Sequence, residues 1–123
     1  MIHLDTSFLI QALLPNSAAQ TKLQTWLEDG EDLGISSIAW SEFLCGPLTL
    51  EHEKLARDII AEPEPFLASD AQRAAELFNG TGRRSRSLAD CQIAAVALRC
   101  GASIATANAS DFSLFRTLGL TLA

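Results

Sequence analysis

At 123 residues, 48% hydrophobic and 20% charged, the chain is long enough to bury a core without disulfide or metal staples. That composition excludes a disordered chain, and no apolar run approaches the length of a membrane span, so one compact domain over residues 1–123 is expected. The net charge of −6 speaks against binding nucleic acid by bulk charge alone, although the charges are unevenly distributed.

The start, Met1-Ile2-His3-Leu4-Asp5, lacks a basic stretch and meets an acid at once. No signal peptide is expected, and the cytoplasm is the expected compartment. Ile2-His3-Leu4 reads as a short buried strand, and Asp5-Thr6-Ser7 as a helix start. An apolar helical stretch runs from Phe8 to Leu14 and stops at Pro15. Asn16 or Ser17 caps a second helix with Ala18, Leu23, Trp26 and Leu27 inward, and Gly30 falls just past its end. Leu33-Gly34-Ile35-Ser36 is a second strand. Ser37 then caps a helix that ends at Cys45 before Gly46-Pro47.

Residues Glu51 to Ala61 form a helix with Leu55, Ile59 and Ile60 inward, and Phe66-Leu67-Ala68 reads as a weak edge strand. Ser69 or Asp70 starts a helix to about Phe78. Asn79 to Ser87 is a basic loop containing Arg83, Arg84 and Arg86. Leu88 to Arg99 is the strongest helix, Ala-rich and buried on most sides, and Gly101 terminates it. Ser103 to Thr106 is a strand, Asn108 to Phe115 a short helix, and Leu120-Thr121-Leu122 a last strand. Strands alternating with helices predict a mainly parallel sheet covered on both faces.

Cys45, Cys91 and Cys100 are odd in number and irregularly spaced, which points to free buried thiols rather than a disulfide framework or zinc. His3 and His52 are too far apart to form a ligand pair. No Gly-rich phosphate loop, dinucleotide fingerprint or G-x-S-x-G elbow is present.

Four acids stand where apolar runs give way to helices: Asp5, Glu42, Asp90 and Asp111. Each has an ordinary structural reading. Asp5 can cap a helix, and Glu42 can be exposed or ion-paired. Ser87-Leu88-Ala89-Asp90 fits a capping box, and Asn108 to Asp111 repeats the cap-then-acid spacing. Together they read differently. A parallel sheet gathers such residues outside the carboxyl ends of its strands. Carboxylates brought together repel one another unless a cation holds them. Hard oxygen donors without His or Cys select Mg²⁺ or Mn²⁺, ions that work on phosphate esters.

These pieces resemble a known family. Ile2-His3-Leu4-Asp5-Thr6-Ser7, then Ser41-Glu42-Phe43-Leu44-Cys45-Gly46, then Leu88 to Ala97 through Gly101, then Thr106-Ala107-Asn108-Ala109-Ser110-Asp111-Phe112 resemble the PIN-domain ribonucleases. Within that family they look like the VapC-like toxins of toxin–antitoxin pairs, over nearly the whole chain. The resemblance implies a three-layer α/β/α sandwich with a short, mainly parallel central sheet. It implies Mg²⁺ or Mn²⁺ held by Asp5, Glu42, Asp90 and Asp111, with Ser7, Thr106 and Asn108 in support. Endonucleolytic RNA cleavage leaving a 5′-phosphate and 3′-hydroxyl would follow. Also implied are a homodimer and an antitoxin whose C-terminal segment enters the acidic site. Ala107 departs from the pattern, since relatives often carry a basic residue after the threonine; Arg83, Arg84 and Arg86 are the candidates to take over its grip on RNA.

Three further readings stay open. The arginine loop is otherwise a solvated surface, and Trp26, Trp40 and Phe43 suit a core or dimer interface better than a base-stacking platform. Phe8, Leu9 and Leu13 beside Trp26 and Leu27 could form an exposed stripe for a partner helix. The rivals to a nuclease are a haloacid dehalogenase-type phosphohydrolase with Asp5 as nucleophile and a non-catalytic interaction module. The first is disfavoured because no lysine follows Lys54.

Overall fold

The computed structural model describes residues 1–82 and 88–123. Its centre is a parallel three-stranded sheet of order β2-β1-β3, built from β1 (Ile2–Leu4), β2 (Leu33–Gly34) and β3 (Ser103–Ala105). The chain leaves β1 through α1 (Thr6–Ala12) and α2 (Ala18–Glu28) to reach β2 on one side. It then runs through α3 (Ser37–Cys45), α4 (Leu50–Ile59), α5 (Ala68–Gly80) and α6 (Leu88–Cys100), and returns as β3 on the other side of β1. The strand order therefore switches direction at β1. Past β3, α7 (Ala109–Phe112) and a 3₁₀ turn (Ser113–Leu118) complete the described structure. This is the open α/β/α arrangement expected from the sequence.

The short strands form a middle layer sealed on both faces. Leu4, Ile35 and Ile104 are fully buried, as are Phe43, Leu77, Phe112 and Phe115 from the surrounding helices. Each such side chain contributes about 1.5–3 kcal/mol on burial. The middle of α6 is Ile93 to Ala97, all buried. Its small side chains let it lie close against its neighbours, and it packs along α5. Gly101, at φ +65°, ends α6 in the left-handed conformation that glycine adopts without cost. Gly34 has a different reason: a Cβ there would stand 2.9 Å from Cδ2 of the buried His3 ring.

Several local expectations need correction. Ser36, not Ser37, caps α3 by accepting from the Ala39 amide, while Ser37 Oγ accepts from the Phe66 amide. Phe66-Leu67-Ala68 forms no strand, because the pairing has moved to a single parallel bridge between Ser36 and Glu64. Leu67 instead leads into α5, its amide bonded to Asp70 Oδ2. The last strand shrinks likewise to one bridge between Ile104 and Leu122. On α2, Leu23 is buried but Ala18 and Leu27 are exposed. On α4, Ala56 turns inward and Leu55 is 49% exposed. The cysteines are free, but only Cys91 is buried; Cys45 is exposed. Among the described residues no helix is long and apolar enough to cross a membrane.

Candidate active site

The carboxyl end of β1 delivers Asp5 straight into the N-cap of α1. The Asp5 amide donates to Ala105 O of β3, which pins the ends of the two strands together. The Asp5 carboxylate is only 5% exposed and accepts on both oxygens: Oδ1 from the Phe8 amide and Ser7 Oγ, each at 2.8 Å, and Oδ2 from Thr106 Oγ1 at 2.6 Å. The clamp extends into the loop after β3. Ser7 Oγ accepts from the Ala107 amide at 3.1 Å, and Thr106 Oγ1 accepts from the Asn108 amide at 2.9 Å. Two hydroxyls thus lock Asp5 and turn the 106–108 loop toward it. Burial pushes the Asp5 pKa up, the bonds from Thr106, Phe8 and Ser7 pull it down, and the charge of Asp111 pushes it up again.

All four acids singled out in the sequence line one pocket of about 250 Å³. Asp5, Thr6, Ser7 and Ile10 come from β1 and α1, Glu42 from α3, Asp90 and Ile93 from α6, and Asn108 and Asp111 from the α7 start. The pocket opens beyond the carboxyl ends of β1 and β3, where parallel sheets bind ligands. Asp90 and Asp111 lie in the first turns of α6 and α7. Asn108 occupies the N-cap of α7, but its side chain makes no cap bond, so the cap-then-acid reading of that segment fails for its first member. Ser87 of the Asp90 capping box lies outside the described residues, as do Arg83, Arg84 and Arg86.

Glu42 does not open its helix as expected. It sits in the second turn of α3, exposed at the pocket wall, and accepts at Oε1 from Thr6 Oγ1 at 3.2 Å. The donors are hard oxygens throughout. No three Asp, Glu, His or Cys side chains among the described residues converge as a ready-made ion cage.

The aromatic residues do not reach this pocket. Trp26 stacks on Phe8 at 5.4 Å between ring centroids, and Trp40 on Phe43 at 5.4 Å with Arg57 over its ring. The stripe expected for a partner is partly sealed, since Phe8, Leu9 and Leu13 are buried. Ile10 and Leu14 are instead exposed, beside an apolar groove of about 240 Å³ lined also by Phe43, Pro47 and Leu48.

Sequence reasoning missed a second polar cluster. Asp70, 2% exposed, bonds Arg99 Nε through both oxygens at 2.9 and 3.1 Å; Arg99 also donates to Glu64 at 3.0 Å and to Pro65 O at 2.9 Å. The available signal was a lone arginine on α6, which carries no other charge after Asp90. This cluster ties α6 to the first turn of α5 and to the segment before it, and none of its residues lines the acidic pocket.

The fold and the acidic pocket together define a class, the α/β/α domains with carboxylates at the sheet edge. The model of the PIN domain family matches residues 2–116. The chain belongs to the PIN domain family. No sequence among curated proteins matches it. Among solved structures it is similar to a chain of VapBC2 from Rickettsia felis bound to a promoter DNA fragment. That match has a TM-score of 0.78 and 20% identity, covering 100% of this chain and 98% of the other. It is also similar to a chain of FitAcB from Neisseria gonorrhoeae, at TM-score 0.72 and 22% identity, covering 99% and 96%. A toxin–antitoxin complex from Klebsiella pneumoniae contains a third such chain, at TM-score 0.74 and 23% identity, covering 92% and 91%. Membership of the PIN domain family speaks against the dehalogenase alternative.

Proposed function

We propose that the chain is a Mg²⁺- or Mn²⁺-dependent endoribonuclease and the toxin of a toxin–antitoxin pair. The observation that carries this reading is that Asp5, Glu42, Asp90 and Asp111 line one pocket. Asp5, Glu42 and Asp90 would hold the principal ion and Asp111 would complete the site. The bound ion supplies Lewis-acid chemistry: it activates water and neutralises charge on the scissile phosphate. Asp5 contributes a carboxylate whose rotamer is fixed before any ligand arrives. Ser7 and Thr106 hold it there, and a neighbouring carboxylate accepts the proton of the attacking water. Arg83, Arg84 and Arg86 would contact RNA phosphates, which makes binding fall steeply with salt.

The partner reading rests on the groove beside the pocket. Ile10 lines both, so an apolar segment seated against Leu14, Phe43 and Leu48 would lead directly to the four carboxylates. A cognate antitoxin can occupy that path with its C-terminal segment. The chain acts as a single cytoplasmic domain, as a homodimer.

The deciding experiment measures RNA cleavage and the Mn²⁺-induced rise in melting temperature of wild type and Asp5→Asn. Binding to the native state alone raises the melting temperature. Wild type should show both effects and the variant neither. Full cleavage by a folded Asp5→Asn protein would refute the assignment, and no Mn²⁺ effect on wild type would favour a non-catalytic module.

A further inference from the structure

The first residue of α1 makes an unusual pair of contacts. A threonine at a helix start ordinarily bonds within its own turn. Thr6 is half-buried and reaches instead into α3, 33 and 36 residues away. Its Oγ1 lies 3.1 Å from Ala39 O and 3.2 Å from Glu42 Oε1. Capping is already done by Asp5, so this hydroxyl is not needed for it. One proton serves two acceptors a single helical turn apart.

We propose that Thr6 is the positioning residue for Glu42. Its neighbour Asp5 is fixed from the other side by Ser7, Thr106 and the Phe8 amide. Thr6 carries that fixed reference across to α3, and so sets how far the Glu42 carboxylate stands from the Asp5 carboxylate. Among the described residues no other hydrogen bond holds the exposed Glu42 side chain, which has several rotatable bonds and would otherwise lose conformational entropy on meeting an ion. The contact to Ala39 O ties the hydroxyl to the α3 backbone, so the bond to Glu42 Oε1 starts from a fixed point and leaves Oε2 for an ion.

This inference rests on the metal-site reading above, and the test separates the two. Mn²⁺ affinity is measured by calorimetry on folded wild type, Thr6→Val, Thr6→Ser, Glu42→Ala and the Thr6→Val/Glu42→Ala double variant. Thr6→Val keeps the shape and removes the hydroxyl. Its affinity should fall roughly tenfold, within the range for residues that orient a metal ligand. Thr6→Ser should restore it. In the Glu42→Ala background, Thr6→Val should cost nothing more, because it acts through Glu42. Wild-type affinity in Thr6→Val, failure of Thr6→Ser to rescue, or additive losses in the double variant would overturn the role of Thr6 while leaving the metal site standing. An absence of Mn²⁺ binding to wild type would overturn both.

Discussion

Thr106→Val isolates the forces acting on Asp5. The substitution keeps volume and removes the shortest of three bonds to the carboxylate, 2.6 Å from Thr106 Oγ1 to Oδ2. A hydrogen bond to a charged acceptor contributes about 1.5–3 kcal/mol. The lower end applies here, because Ser7 Oγ stands 3.4 Å from Thr106 Oγ1 and Asp5 keeps its Ser7 and Phe8 donors. About 1.4 kcal/mol is a factor of ten in an equilibrium. Mn²⁺ affinity at neutral pH should therefore fall about tenfold. The pH dependence should change as well. Burial already raises the Asp5 pKa and Thr106 opposes that rise. Without Thr106 the carboxyl holds its proton to higher pH, so the acid limb of the Mn²⁺-affinity profile moves upward, and Thr106→Ser brings it back. Calorimetric titrations over a pH series measure both quantities. A folded Thr106→Val protein with wild-type affinity and an unmoved acid limb would refute the reasoning.

Three other outcomes follow from the same structure. Because burial raises the folded Asp5 pKa above its ordinary value of 3.8, its contribution to stability is present below that value and lost as pH rises through the folded pKa. In metal-free buffer Asp5→Asn should melt above wild type at neutral pH, and the gap should close on acidification; calorimetric scans at several pH values check the sign. Arg99→Met strands the buried Asp70 and should cost about 2 kcal/mol in urea unfolding, less than for a fully buried pair because solvent reaches Arg99. Adding Asp70→Asn should recover part of that loss, with Mn²⁺ binding unaffected. Gly34→Ala drives a methyl group to 2.9 Å from the buried His3 ring and should cost about 1–3 kcal/mol in the same assay.

The legible parts of the fold are those in which local chemistry and tertiary environment agree. Ile2 to Leu4 ending in Asp5 reads as a strand running into a capped helix, and it is one. The Ala-rich run from Leu88 to Gly101 reads as a buried helix with a glycine stop, and it is one. The misreadings come from contacts distant in sequence. Leu55 fits the inner face of α4 by spacing, yet Ala56 goes in, because that helix meets the core at its small residue. Phe66 to Ala68 has strand propensity, but Ser37 and Asp70 capture the amides of Phe66 and Leu67 before a ladder can form. Thr6 could not be singled out from its neighbours without knowing that α1 lies against α3.

At the site itself, cap and ligand cease to be competing explanations for Asp5. Capping the Phe8 amide orients the carboxylate along the axis of α1, whose N-terminus favours negative charge. The same orientation leaves the carboxylate facing Glu42, Asp90 and Asp111 across the pocket. A carboxylate buried this deeply would be expensive to keep ionised without those amide and hydroxyl donors, and beside Asp111 more so. The fold thus tolerates an electrostatic strain at the end of β1 that a divalent cation would relieve. It does so with residues whose local roles, read one at a time, are those of ordinary helix starts.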